Sequence, residues 1–319
     1  MPPTDNFCLM FRSCNYLQDI TALANWDVSN VKDMQCMFSN CHQLQDITAL
    51  AKWNVSNVEN INGMFYRCLR LQDIDVLSNW DVSKIKDISK LFYECEKLYY
   101  VTALANWNVS NVKNMSWMFY GCKQLQDITP LAKWNVSNVK DMQCMFYLCN
   151  QLQNITALAK WNVSKVENMG NMFDGCHRLE DITILAKWNV SNVENMSGMF
   201  YECDIKNITN LYRWNISNVK SMDSTLNKHN LREITALVND IIHSDKDIEP
   251  ILRNDFRPLF SLMIDVMHKC REDRATLLAA IDELKSTTQS QHQIIEQQRQ
   301  TIEELQAKID SPTDLLWNP

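Results

Sequence analysis

Cysteine and histidine are the residues whose types and spacing could do chemistry in this chain. Eight of its twelve cysteines recur at a nearly fixed step: Cys14, Cys41, Cys68, Cys95, Cys122, Cys149, Cys176 and Cys203. A thiol beside a base can become a nucleophile, and a cluster of thiolates and imidazoles can hold zinc. Cys36/Cys41 and Cys144/Cys149 are each five apart, but they lack the second pair and the histidines of a zinc site. Of the six histidines, only His42 and His177 share a column, each beside a repeat cysteine and five repeats from the other. They are too far apart to act together, and a regular repeat offers no cleft, so both read as solvated loop residues. No G-x-x-x-x-G-K-[ST], H-E-x-x-H or G-x-S-x-G occurs. No catalytic residue, cofactor site or metal site is assigned, and the chain reads as a non-enzyme. The cysteine column reads instead as a ladder of small, buried, reduced thiols.

What positions that ladder is a repeat. Tryptophans stand at 26, 53, 80, 107, 134, 161, 188 and 214, and phenylalanines at 11, 38, 65, 92, 119, 146, 173 and 200. A sustained period in this range marks a solenoid, in which each coil covers the apolar face of its neighbour. One unit reads L-x-x-I-x-x-L-A-x-W-[ND]-V-S-N-V-x-x-M-x-x-M-F-x-x-C. Leu125 to Ile128 is a strand candidate, Leu131 to Trp134 a tight or single helical turn, and Val136 to Met142 a second extended piece. Met142, Met145, Phe146 and Cys149 fall at i, i+3, i+4 and i+7, the spacing of a short helix. The expected fold is therefore an α/β solenoid, leucine-rich-repeat-like, of about eight coils of strand, turn, strand and short helix. Serines 29, 56, 83, 110, 137, 164, 191 and 217 are followed by asparagine, with Lys84 and Lys165 as exceptions. That pair is expected at a corner of the coil, satisfying buried amides.

The composition fits. The hydrophobic fraction of 46% suffices for a continuous core, and the 5 glycines leave no flexible glycine-rich linker. A net charge of −7 without a basic cluster argues against nucleic-acid binding. The first residues lack a charged region followed by a long apolar run, so no secretory signal is expected, and no run of 18 apolar residues predicts a membrane span.

Residues 1–9 precede the pattern and 10–237 carry it. A helical cap is expected over 238–271, broken by Pro250 and Pro258. Residues 272–310 read as a coiled coil, and 311–319 as a tail. Ile281, Thr288, Ile295, Ile302 and Ile309 are seven apart, with Leu284, Gln291, Gln298 and Leu305 three after the first four. That is an a/d heptad, roughly 43 Å long as a helix. Such a helix has little to stabilise it alone, so it pairs with copies of itself, as a dimer or trimer, or lies on another protein.

The unit W-[DN]-V-S-N-V-x-x-M-x-x-M-F-x-x-C resembles the repeat of the BspA-like leucine-rich-repeat surface proteins, over about residues 10–237. Members of that family occur on bacterial surfaces, in parasitic protists and in large DNA viruses, and are associated with adhesion and protein binding. The resemblance implies an interaction module with no shared catalytic residues. The missing signal sequence and the heptad segment point to a virus particle or an intracellular scaffold, hence a cytoplasmic or virion location. The expected binding surface is a polar column on the face of the first strand: Asp19, Asp46, Asp73, Tyr100, Asp127, Asn154 and Asp181. It would serve a protein partner, with self-assembly through residues 272–310. The competing reading is a monomeric adaptor whose C-terminal helix docks on a different protein.

Overall fold

A computed structural model of the protein describes residues 5–206, 211, 214–222, 224, 225 and 299. The chain divides into two units, Met1–Glu272 and Asp273–Pro319. All described residues of the repeat lie in the first. Arg299, helical, is the described residue of the second. The expected cap, the remaining heptad positions and the tail lie outside the described residues.

Among the described residues, one full 3-10 turn anchors each of seven successive coils. The seven are η1 (Thr21–Asn25), η2 (Thr48–Lys52), η3 (Asp75–Asn79), η4 (Thr102–Asn106), η5 (Thr129–Lys133), η6 (Thr156–Lys160) and η7 (Thr183–Lys187). Their T-A-L-A-[NK] type sequences stop after five residues, the length at which 3-10 hydrogen bonding runs out. In η2, Leu50 N–H bonds Ile47 O at 2.9 Å and Trp53 N–H bonds Leu50 O at 3.1 Å. Trp53 then turns extended, at φ −68 and ψ 124, and the turn ends. The expected tight turn at Leu131 to Trp134 is η5 and its exit.

The strands and short helices of the expected coil are replaced by isolated bridges and turns among the described residues. One parallel bridge per coil boundary runs Asn6, Asp33, Asn60, Asp87, Asn114, Asp141, Asn168, Asn195, Ser221. The strand expected at Leu125 to Ile128 is reduced to bridges of Asp127 with Tyr100 and Asn154.

The segment read as helical, Met142 to Cys149, shows why. The N–H groups of Met142, Cys144, Phe146 and Leu148 reach forward to Asn168, Gly170, Met172 and Asp174 in the next coil, at 2.8–2.9 Å. Those of Met145, Tyr147 and Cys149 reach back three residues, to Met142, Cys144 and Phe146. With alternate amides bonded to a neighbouring coil, no α-helical i to i−4 ladder can form. Cys144 and Leu148 take φ 52 and φ 55, the left-handed region that folds the chain into successive turns. Each turn places its apolar residues inward, so the sequence shows helical spacing without a helix.

The core is a set of columns. Phe11 to Phe200 stack in register, with neighbouring ring centroids 5.5–5.9 Å apart and planes within 12°. From Phe38 onward they are wholly buried. Each inner tryptophan ties its indole to a leucine carbonyl one coil back: Trp134 Nε1 donates to Leu104 O at 2.8 Å, and Trp161 to Leu131 O at 3.1 Å. This satisfies a polar atom that burial would otherwise penalise. In the degraded last coil, Thr225 is buried where the column carries methionine, and its hydroxyl lies within hydrogen-bond reach of two carbonyl oxygens, Met196 O at 2.9 Å and Met222 O at 2.6 Å.

Candidate interaction surface

The thiol column was the first candidate for chemistry, and its geometry assigns it to the core. From Cys41 to Cys203 each sulfur donates to the phenylalanine carbonyl one coil earlier, at 3.0–3.2 Å. Burial pushes the Cys41 and Cys203 thiols up to about 12, and those of Cys68, Cys95, Cys149 and Cys176 well above their ordinary value. A thiol held this far from ionisation is no nucleophile at neutral pH. The exception is Cys14, expected in the buried ladder but exposed, because no coil precedes it among the described residues. His42 also departs from its reading: its Nε2 is buried with no hydrogen-bond partner. His177 is exposed, with Nδ1 2.9 Å from Glu202 O. Among the described residues no group of three or more His, Cys, Asp or Glu could hold a metal ion, and no helix is long and apolar enough to cross a membrane.

The polar column expected to bind a partner holds a local structural role. Asp19, Asp46, Asp73, Tyr100, Asn154 and Asp181 are exposed, and Asp127 is half-buried. Six of the seven are not free acceptors. Asp46 Oδ1 takes the N–H of Thr48 at 2.8 Å, and Asp19, Asp73, Asp127, Asn154 and Asp181 repeat this with the residue two ahead. Each satisfies an amide at the start of a 3-10 turn that has no partner inside it. The Thr21 and Thr48 amides and hydroxyls hold Asp19 and Asp46 below the usual carboxylate range. At Asp181 the Thr183 hydroxyl leads, followed by its amide. Tyr100, 58% exposed, is the large apolar break in this column.

The corner residues also act differently from the expectation. Asn57, Asn111, Asn138, Asn192 and Asn218 donate their amides to the serine carbonyl of the preceding coil at 2.6–2.8 Å. They tie carbonyls at the surface rather than buried amides. Lys84 and Lys165, the two exceptions, donate to Asn57 and Asn138 Oδ1 instead, at 2.7 and 2.8 Å.

Two columns escaped the reading of the sequence. The residue after the column phenylalanine is tyrosine in four consecutive coils. Tyr66, Tyr93, Tyr120 and Tyr147 stack half-buried, with centroids 4.3–4.6 Å apart and Trp117 set 5.4 Å from Tyr120. Burial, then the neighbouring phenols, raises the Tyr93 pKa. Asp174 continues the row, buried; desolvation and then Glu202 push its carboxyl up to about 6, partly offset by His177.

The second missed column is the bridge ladder. Asp33, Asn60, Asp87, Asn114, Asp141 and Asn168 alternate acid with amide and are half-buried. Asn114 Nδ2 donates to Asp87 Oδ2 at 3.2 Å. Four tyrosines at one step and an acid–amide alternation that holds from Asn6 to Asn168 were both visible as strings, and periodicity of apolar residues alone passed over them.

A family profile described as "Mycoplasma protein of unknown function, DUF285" matches residues 5–78, 70–179 and 126–237, which together take in well over half of the chain. No curated protein matches. Among solved structures, the functional domain of InlJ from Listeria monocytogenes, described as including a cysteine ladder, aligns at 12% identity with a TM-score of 0.13. That alignment covers 65% of this chain and 65% of that one, so the chain spans just under two thirds of its length. A superposition this poor bears on neither fold nor function.

Proposed function

Because this chain belongs to the repeat family described as Mycoplasma protein of unknown function, DUF285, its role rests on the surface its coils build, and we propose that it is a non-enzymatic protein-binding scaffold. The observation that carries this is the row Tyr66, Tyr93, Tyr120 and Tyr147, with Trp117 beside it. Large aromatic side chains are held rigid by stacking and left half-exposed over four consecutive coils. Tyrosine and tryptophan dominate the energetic centres of protein interfaces, and aspartate is depleted there. The stacked faces are occupied by one another, so the row offers ring edges and phenol hydroxyls to a partner. The acidic column Asp19, Asp46, Asp73, Asp127 and Asp181 joins this reading as a source of long-range attraction for a basic partner.

Residues 272–310 would gather copies into a homo-oligomer and multiply one weak site. A cytoplasmic or virion location belongs to the same reading, and fractionation of the native source tests it.

The test is capture from the native source by wild-type chain and by Tyr93→Ala/Tyr120→Ala chain, compared by quantitative mass spectrometry. A protein retained by the first and lost by the second supports the reading, and identical captured sets refute it. For the acidic column the variant is Asp46→Asn/Asp73→Asn/Asp127→Asn. Asparagine removes the charge and keeps the turn-capping oxygen, as Asn154 does when it accepts from Thr156 at 2.9 Å.

A further inference from the structure

One surface column mixes both signs of charge and sets three lysines in succession. The residue two after the corner asparagine is Lys32, Glu59, Lys86, Lys113, Lys140, Glu167, Glu194 and Lys220 in successive coils. Three neighbours of opposite sign pair across coils: Lys140 with Glu167 at 2.6 Å, Lys220 with Glu194 at 2.8 Å, and Lys86 with Glu59 at a loose 3.9 Å. Lys113 stands between two lysines, and no ion pair to it is formed among the described residues. Lys84 adds another ammonium where the corner asparagine is missing. Like charges stacked at coil spacing repel, and nothing in the core requires lysine at these exposed positions.

These residues line a groove of about 370 Å³, formed by Glu59, Lys84, Lys86, Asn111 and Lys113. Among the lining residues three ammonium groups face one carboxylate, in a chain of net charge −7; the Asp81 carboxylate beside Lys84 offsets part of that surplus.

We propose that this groove binds a compact polyanion carrying phosphate or sulfate groups, a function separate from the protein docking argued above. A single carboxylate would leave the surplus uncompensated, and an apolar ligand would find ammonium groups at the walls. Lysine ammoniums serve as point-charge donors to such oxyanions. Compactness follows from the rest of the molecule. The acidic surface repels a long polyanion, whereas a small one meets the groove's field within a Debye length of about 8 Å at physiological salt. Asn111 directs its amide to Ser83 O at 2.7 Å, so that donor is already spent on the backbone. The groove therefore selects by charge count rather than by a fixed hydrogen-bond pattern.

The experiment titrates the full chain calorimetrically with sodium tripolyphosphate and, separately, with a heparin-derived hexasaccharide, both at fixed ionic strength. The expected result is saturable binding of one probe per chain, weakened about tenfold or more in Lys84→Gln/Lys86→Gln/Lys113→Gln. Lys220→Gln, in the same column but paired with Glu194, should bind like wild type. The tighter probe identifies phosphate or sulfate as the preferred group. An unchanged melting profile shows that the triple variant is folded. If it fails to fold, Lys113→Gln alone is read, with a several-fold loss expected. No saturable heat from either probe, or equal binding by the variants, would overturn the proposal.

Discussion

Cys122 Sγ lies 3.2 Å from the carbonyl oxygen of Phe92, which also accepts the Cys95 N–H at 3.0 Å. One carbonyl thus joins its own turn to the next coil. The thiol is a weak donor in a fully buried slot, where a larger side chain would overpack the core and a smaller one would leave a void.

Thiol reactivity should follow this arrangement. In the folded chain Cys41, Cys68, Cys95, Cys122, Cys149, Cys176 and Cys203 should resist a thiol reagent, while Cys14 labels fast. Denaturation should release all of them. Peptide mapping by mass spectrometry reads each site, and fast native labelling of Cys95 or Cys122 would contradict burial. Cys122→Ser should cost only about 1 kcal/mol, because the hydroxyl inherits an acceptor in Phe92 O.

Every inner coil bends through two left-handed residues, and few of them are glycine. Gly175 sits at φ 71, and a Cβ there would fall 2.5 Å from Leu148 Cδ2. Gly175→Ala should lower stability by about 1–3 kcal/mol in a urea melt, from strain and crowding together. Lys90, at φ 57 and exposed, is the converse case. Lys90→Gly should leave stability unchanged or raise it by up to about 1 kcal/mol, relief of strain outweighing backbone entropy.

The half-buried ladder keeps acids apart. Asp87 and Asp141 flank Asn114, and burial, then Asp87, already raises the Asp141 pKa. Asn114→Asp would place a third carboxylate between them and remove the amide that bonds Asp87. We expect a loss on the order of 1–3 kcal/mol at neutral pH. Burial raises the folded pKa of Asp141, and an aspartate at 114 would share that environment, so the penalty fades as pH falls. Melting curves at pH 7 and pH 4 should converge toward wild type at the lower value. A deficit independent of pH would assign the effect to geometry instead.

Asp174 offers the same sign in the native chain. Its pKa is raised from 3.8 to about 6, so the unfolded state releases this proton at lower pH than the folded state does. Stability from this group is therefore greatest below about pH 4 and falls as pH rises through about 6. Asp174→Asn, nearly isosteric and uncharged, should stabilise the protein at pH 7 by roughly 1–2 kcal/mol and change little at pH 4. Equal stability of the two chains at pH 7 would show that the carboxylate is well solvated.

The columns themselves were legible because self-similarity is written in the string. Phe38, Cys41, Leu50 and Trp53 are each buried as their positions in the repeat require. The local conformation was not legible. Met142, Met145, Phe146 and Cys149 match a helix by spacing, yet the amides of Met142 and Phe146 bond the next coil, a partner 26 residues away that no local window contains. The left-handed positions were hidden because Cys36, Lys90, Trp117 and Leu148 occupy sites at which glycine would have announced a turn. The acidic column is exposed except at half-buried Asp127, and its Asx hydrogen bonds to the 3-10 turns depend on geometry the sequence does not contain.

The heptad segment carries the last prediction. Ile281, Ile295, Ile302 and Ile309 fill four of five a positions, with leucine at d at both ends, in Leu284 and Leu305. Isoleucine at a with leucine at d favours a parallel dimer. Thr288, Gln291 and Gln298 put polar layers in the middle, which weakens association while restricting register. Ile294, at g, widens the apolar face and admits a trimer. Parallel helices would set several solenoids side by side, and avidity could exceed single-site affinity by roughly 10²–10⁴. Ile295→Asp/Ile302→Asp places unpaired charges in that seam. Sedimentation should then show loss of the oligomer, while circular dichroism and the protected thiols report an intact solenoid. A wild-type chain that remains monomeric at concentrations on the order of tens of micromolar, which puts association about 6 kcal/mol or more short of a nanomolar dimer, would sink the assembly reading. The polar middle layers would then mark a helix that docks on a different protein, and the solenoid would act as a monomeric adaptor.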